Sequence, residues 1–368
     1  MSTLNLLSDN PLEIETSIIN AYNALRLEEG EKEITTASPI YIFLKSIAYV
    51  LSCYSALINE KIKQNFIDYA TGENLDALGK LTGTNRLQAT ASLCTVRFSR
   101  VAGTSNTVLI PKGTRITADS VIYFATIENA EIPAGAESID VIASALVAGS
   151  SGNGYGVGSI TQIVDNVAYL KSVENITESS GGTDIESDES YRQRIFLAPE
   201  TFSVAGPKLA YVYHTKSVSS DIIDVAVVSD EPGVVKIYPL LKGGELPSEE
   251  LLTSINNKLS ASDVRPLTDK VEVLEPVKKE FNVDIDYYLY EERDFIPDEK
   301  VQKVVSDYIM WQKSVLGRDI NPDKLIADLQ SLGIKRVVIK EPVFTKVKSE
   351  ELALCVSVNA EFKALEIE

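Results

Sequence analysis

The chain has 368 residues, 44% of them hydrophobic, and its 53 acidic residues against 35 basic ones give a net charge of −18. That is enough apolar chain for about two to four domain cores, and the wrong sign for binding a phosphate backbone. Three scattered cysteines, Cys53, Cys94 and Cys355, suggest neither a disulfide framework nor a zinc site and read as small core residues made in a reducing compartment.

The amino terminus lacks the basic and apolar regions of a signal peptide, and no stretch is expected to be long and apolar enough to span a bilayer. Asn10 and Pro11 form an N-cap and first-turn pair, followed by Ile14, Ile18, Tyr22 and Leu25 on one helical stripe. Ser38 and Pro39 start a longer helix in which Ile40, Phe43, Leu44, Ile47, Leu51, Tyr54, Ile58, Ile62 and Phe66 recur at helical steps. Such a stripe either closes a local hairpin or meets a partner. After the corner at Gly72, a short helix is predicted to turn Leu75, Leu78 and Leu81 inwards.

From Ala89 to about Ser180 the pattern becomes that of strands. Val96 and Phe98 alternate with polar residues, as do Ile139, Val141 and Ala143, with turns at Gly103, Gly113, Gly135 and Gly149. An antiparallel sandwich or small barrel follows. The run Gly152, Gly154, Gly156, Gly158 has neither the spacing nor the strand-loop-helix setting of a phosphate cradle and reads as a tight extended loop.

The stretch GGTDIESDESYRQRI, Gly181 to Ile195, comes next. Ser187 is placed to cap a helix with Asp188 and Glu189 in its first turn, Asp188 and Arg192 as an i,i+4 pair, and Tyr191 and Ile195 facing a core. Pro199 ends it. The residue types describe a capped connector, and the cluster Asp184, Glu186, Asp188 and Glu189, which lacks EF-hand spacing, reads as a solvated helix start.

Beyond it, element order suggests α/β sandwich modules of ferredoxin-like type. Gly206-Pro207 opens a helix to Val218; Ile223, Val225 and Val227 alternate; Ser248 caps another helix; and Arg265-Pro266-Leu267-Thr268 leads to the strand Val271 to Leu274. Phe281, Val283, Ile285, Tyr287 and Leu289 share one side of a long strand. A helix carrying Val301, Val305 and Tyr308, a second capped by Asn321, and a last strand with Leu352, Leu354, Val356, Val358 and Phe362 on one face look like a repeat of that theme. The expected fold is thus multidomain α+β: an N-terminal helical region, 1–88; a central antiparallel β-rich domain, 89–180; the signature helix and first α/β module, 181–290; and a second α/β module, 291–368.

Enzyme signatures are missing from this sequence. His214 is the single histidine, which excludes two-histidine metal motifs, and neither a GxSxG elbow nor a Walker A sequence occurs. The expectation is no enzyme, with no catalytic, cofactor-binding or metal-binding residues.

The glycine pair, the acidic residues and then Tyr-Arg-x-Arg-Ile resemble the central signature of the baseplate J-like proteins, wedge components of contractile phage tails, R-type bacteriocins and related contractile injection systems. Further segments resemble that family in the same order: Ala70 to Asp76 with Gly83 and Arg86, Ile110 to Thr114, Phe124 to Thr126, Ala148 to Asn153, and Arg265 to Leu267 before Val271 to Pro276. The resemblance implies a signature set of Gly181, Gly182, Asp184, Glu186, Tyr191, Arg192, Arg194 and Ile195. It also implies amino-terminal helices that join a bundle, which makes the stripe from Ile40 to Phe66 the expected partner interface. The implied role is structural: several copies in a ring around the hub, coupling baseplate rearrangement to sheath contraction, with the stretch around Glu186, Arg192 and Arg194 setting the angle between the two halves of the chain. Implied partners are other wedge proteins, further copies, and indirectly sheath and hub proteins, with no nucleic acid and no membrane insertion. Assembly is expected in the bacterial cytoplasm, with release by lysis as part of the particle. The alternative is a tail-associated carbohydrate-binding or carbohydrate-degrading protein, which would need exposed aromatic platforms or a poised acid pair; the single Trp311 falls in a helix pattern.

Overall fold

The computed structural model describes residues 5–103, 106–202, 208–261, 264, 269–291 and 296–367, and the chain divides into two units, Met1–Asn85 and Arg86–Glu368. The first unit is helical: α1 (Pro11–Glu28), α2 (Pro39–Lys63) and α3 (Gly72–Leu81). Asn10 caps α1 by accepting from the Leu12 N–H, and Ile14, Ile18 and Tyr22 are half-buried while Leu25 is exposed. The buried face of α2 consists of Leu44, Ala48, Ser52 and Asn59, spaced as one helical stripe of mostly small or polar side chains. Asn59 accepts from the Leu6 and Leu7 N–H groups and donates to the Leu7 carbonyl, and buried Glu15 of α1 accepts from the Tyr41 hydroxyl at 2.7 Å. That hydrogen bond is the main reason the Tyr41 pKa is raised.

Two expectations are corrected in this unit. Leu81 points outwards in α3, although Leu75 is fully buried. And α2 is long and apolar enough to cross a membrane by length and composition, with 25 residues and an 18-residue window of mean hydropathy 1.5. Scattered Ser, Tyr and Cys residues disguise the run, but between Pro39 and Asn59 only Lys45 is charged.

The second unit begins with β1 (Leu93–Arg100), β2 (Val108–Ile110), β3 (Arg115–Thr117), β4 (Tyr123–Thr126), β5 (Ala130–Ile132), β6 (Ser138–Ala145), β7 (Gln162–Ile163) and β8 (Leu170–Asn175). Six strands form one antiparallel sheet in the order β7-β3-β4-β6-β1-β8, whose edge strands approach each other so that it nearly closes into a barrel, and β2 pairs with β5 beside it. Of the residues expected inside by alternation, Val96, Phe98, Val141 and Ala143 are buried and Ile139 is half-buried; with Cys94 they pack over Ile116, Phe124 and Val173. Burial there pushes the Cys94 thiol up to about 11, as expected of an inert core cysteine.

Next come α4 (Asp188–Leu197), α5 (Lys208–Lys216), β9 (Ile222–Val228), β10 (Val234–Leu241), α6 (Glu249–Leu259) and β11 (Lys270–Val273). The helix opening at Gly206-Pro207 and the lead Arg265-Pro266-Leu267-Thr268 lie outside the described residues. The sheet order is β11-β10-β9. One face packs Ile222, Val225, Val235 and Ile237 against Tyr211 of α5 and Ile255 and Leu259 of α6. The other places Ala226, Tyr238 and Leu240 against Leu316 and Leu352 from the end of the chain. Because both faces are covered, burial along β9 does not follow the simple alternation expected of it.

The last module contains β12 (Val277–Tyr290), α7 (Asp298–Gln312), α8 (Pro322–Ser331), β13 (Arg336–Glu341) and β14 (Glu351–Glu366), with sheet order β13-β12-β14. Phe281, Val283, Ile285, Tyr287 and Leu289 are all buried, under Val301, Val305 and Tyr308 of α7 and Leu325 and Leu329 of α8. The boundary expected at 290 is therefore misplaced, since β12 is the central strand of this final sheet. A ferredoxin-like unit has four antiparallel strands in a βαββαβ order. The described strands instead make two three-stranded sheets, each mixing a parallel and an antiparallel pair. The suggested repeat is not one of topology either, because β11 runs parallel to β10 whereas β13 runs antiparallel to β12. In β14, register shifts relative to β12 fall at Val356 and at Lys363. They interrupt the single face expected for Leu352, Leu354, Val356, Val358 and Phe362, because an extra residue in a strand flips the alternation beyond it.

Candidate functional site

The signature residues come together where the barrel hands over to α4. Thr90 and Leu93 exchange backbone hydrogen bonds with Thr183 and Ser180 respectively, at 2.8 to 3.2 Å, so the segment that precedes β1 zips against the glycine corner. Gly181 has φ +82, where a side chain would be strained, and Gly182 is buried in a tight approach. A methyl group on Gly182 would lie inside the envelope of the Ser92 hydroxyl and the Gly149 carbonyl. Asn153 fastens the corner: its amide donates to the Gly182 carbonyl at 2.8 Å, and its Oδ1 accepts from the Gly182 N–H at 2.9 Å and the Ser92 hydroxyl at 2.7 Å. Asp184 accepts from the N–H and hydroxyl of Ser150, both at 2.9 Å. These bonds, the backbone one first, hold its carboxyl below the ordinary carboxylate range.

Glu186 and Arg194 form the centre. Ser187 caps α4 as expected, accepting from the Ser190 N–H, and this places Glu186 just ahead of the helix and Arg194 two turns along it. Their bidentate ion pair has both bonds at 2.7 Å, with side chains only 1% and 3% exposed. Glu186 also accepts from the Leu87 N–H at 3.0 Å, and its carbonyl accepts from Arg86 at 2.8 Å. The Arg86 guanidinium lies 4.7 Å from the Tyr191 ring centroid and pairs with Asp188 at 2.7 Å. On the far side Arg194 reaches the Ser217 hydroxyl at 3.3 Å, and the Ser220 hydroxyl donates to the Asp184 carbonyl at 2.8 Å. Barrel, α4 and the first α/β module thus share one polar knot.

One expectation changes here. Glu186 is buried in an ion pair, so the acidic cluster is not simply a solvated helix start. Asp188 pairs with Arg86, and Arg192 pairs with Glu189, each at 2.7 Å. Tyr191 and Ile195 do face the core, at 1% exposure each. Ser92 and Ser217, which the sequence did not single out, belong to the knot; an isolated serine carries no pattern. The knot's polar groups are turned towards one another, which suits joining segments rather than transforming a substrate. Among the described residues, no group of three or more His, Cys, Asp and Glu residues could hold a metal ion.

The expected partner stripe lies in the other unit. Of its nine members, Leu44 is buried, Ile40, Ile47 and Ile62 are half-buried, and Phe43, Leu51, Tyr54, Ile58 and Phe66 are exposed. Ile42, Tyr49, Val50 and Leu57, which the sequence reading left out, are exposed as well.

Comparison with known proteins gives matches over much of the chain. Residues 37–92 match the baseplate J-like N-terminal domain, residues 95–182 the baseplate J-like protein barrel domain, and residues 203–275 the baseplate J-like central domain. Baseplate protein J of Escherichia phage P2 is 37% identical over 162 residues, which are 43% of this chain and 53% of that protein. The chain therefore spans about half the length of that relative. A chain in the cryo-EM structure of the anti-feeding prophage (AFP) baseplate, 6-fold symmetrised, aligns with a TM-score of 0.49 at 12% identity, covering 96% of this chain and 91% of that one.

Proposed function

The chain belongs to the baseplate J-like family, and on that premise we propose that it is a structural wedge subunit in the baseplate of a contractile tail or injection machine. The observation that carries the reading furthest is the outer face of α2. Phe43, Tyr49, Leu51, Tyr54 and Leu57 are each 45% exposed or more, and apolar side chains ranged along one helix favour removal from water by another apolar surface. The occupant of that face is another wedge protein, bound as a helical bundle. The whole chain carries net charge −18, which opposes an anionic membrane surface as the alternative occupant.

Several copies stand around the hub in this account, hold the platform on which the sheath starts, and rearrange together when the machine fires. The role is mechanical and not catalytic. The knot around Glu186 and Arg194 sets the angle between barrel and α/β modules, which suits a part that transmits force without losing its shape. The chain travels in the assembled particle. The test is co-expression with the products of its neighbouring genes: co-purification in one complex with sheath and tube proteins is the expected result. Glycan binding or turnover by a chain that enters no complex would replace this reading with a carbohydrate-directed one.

A further inference from the structure

The first α/β module meets both of its neighbours at one end of its sheet. Ser220, just ahead of β9, donates to the Asp184 carbonyl at 2.8 Å on the barrel side. Asp224, within β9, accepts the Leu316 N–H of the terminal module at 2.9 Å, so at most about 13 Å of chain separates the two attachments. The adjoining end of β10 is placed in the same way. Lys242 donates its N–H to the Asp221 carbonyl at 2.8 Å, and a methyl group on Gly244 would stand 2.7 Å from the Lys313 carbonyl oxygen. Lys216, the last residue of α5, donates to Gln193 of α4 at 3.3 Å. Burial lowers its pKa while Asp224 and Glu186 act against the shift, so its ammonium stands in the field of both attachments.

What the terminal module brings to this contact is the loop 313–320, and the loop is braced from within. Fully buried Gln312 donates to the Arg318 and Asp319 carbonyls at 2.9 and 3.2 Å. Gly317 donates its N–H to the Glu351 carbonyl at 2.9 Å, and Asp319 accepts from the Val347 N–H at 2.9 Å. Leu316 is buried against Ala226, Tyr238 and Leu240. A loop held at that many points opens rarely, and a carboxylate that accepts a backbone N–H beside a buried apolar contact resists sliding. We infer that the start of β9 and the end of β10 form a strut that locks the terminal module to the barrel, so that residues 86–368 turn as one rigid lever. A load on the terminal module then reaches the Glu186–Arg194 pair with no hinge between them. This property belongs to the folded chain itself and goes beyond its place in a baseplate.

The test uses the full chain alone. Trp311 is its single tryptophan, and the Arg318 guanidinium of the loop lies 4.2 Å from its ring centroid, so tryptophan fluorescence reports the terminal module. Arg194→Met, at the far attachment, should lower the urea midpoint read at Trp311 by about 1 M. In a Leu316→Ser background, which cuts the strut, the same substitution should shift that midpoint by about a third as much or less. A Trp311 midpoint that ignores Arg194→Met, or that shifts equally in both backgrounds, would overturn the lever. Hydrogen exchange on the milder variant Gly244→Ala gives a second reading. Its methyl group must push Lys313 away, and the Leu316 N–H should exchange at least tenfold faster. Because coupling is reciprocal, the Leu87 N–H, which donates to Glu186 at 3.0 Å, should exchange at least threefold faster as well. Faster exchange at Leu316 with Leu87 unmoved would show two independent joints and contradict the proposal.

Discussion

Helices α2 and α4 dispose of their side chains in opposite ways. Helix α2 keeps Ala48, Ser52 and Asn59 inside and turns Phe43, Tyr54 and Leu57 to solvent, whereas α4 buries Arg194 against Glu186 and leaves Phe196 exposed. Hydrophobic bookkeeping alone predicts neither. A small inner face lets α1 and α2 pack closely, and the larger apolar face is then free for another chain. Buried charge at α4 costs desolvation that its two partners only offset together, so its value lies in fixing one geometry of the joined segments. The difference separates an apolar surface left exposed from a joint whose charged groups are already paired.

The sharpest way to break that contrast is to remove half of the joint. Arg194→Met leaves the Glu186 carboxylate buried without its partner and should cost about 3–5 kcal/mol, read as a lowered urea midpoint. The double variant Glu186→Gln with Arg194→Met should recover much of the loss; equal losses in both would show that the pair is not the source. Gly182→Ala comes next, at about 1–3 kcal/mol, because the new methyl group must displace Ser92 or the Gly149 backbone.

Acid should weaken the barrel by a smaller, graded amount. Asp119 is held down to about 2 by the N–H groups of Val121 and Ile122 and by the Tyr155 hydroxyl, while Asp140 and Asp165 are lowered chiefly by Arg97 and Arg115. A carboxyl whose folded pKa lies below its unfolded value of about 3.9 adds stability above that value and loses it as pH falls through the folded one. The thermal midpoint should therefore drop between about pH 4 and pH 2, and Asp119→Asn should flatten the drop at its acidic end. Glu189→Ala marks the small end of the scale: its carboxylate is 71% exposed in the i,i+3 pair with Arg192, and its loss should cost about 0.5 kcal/mol or less.

Local patterns explain which parts of this architecture could be read in advance. The caps at Asn10, Ser187, Ser248 and Asn321 all accept an N–H of the first turn, and the alternation in β1, β6 and β12 placed their cores correctly, because such signals span only a few residues. The joint was legible only in part. Tyr191 and Ile195 declare an inward face by helical spacing, but Glu186 and Arg194 are eight residues apart across a helix start, and Arg86 is a hundred residues from Glu186. Register shifts in β14 are equally silent, since one extra residue leaves no mark in composition. For α2, periodicity finds a stripe but does not say which side of it the chain itself will cover.

The central claim, that the outer face of α2 binds another subunit, is tested most directly by light scattering on the chain co-expressed with its neighbours, as the native sequence and as Tyr54→Glu with Leu57→Glu. The account predicts a hetero-complex of defined mass for the native chain and a folded chain outside any complex for the variant, with stability within about 0.5 kcal/mol of native because both sites are exposed. A complex of unchanged mass with the variant would contradict it.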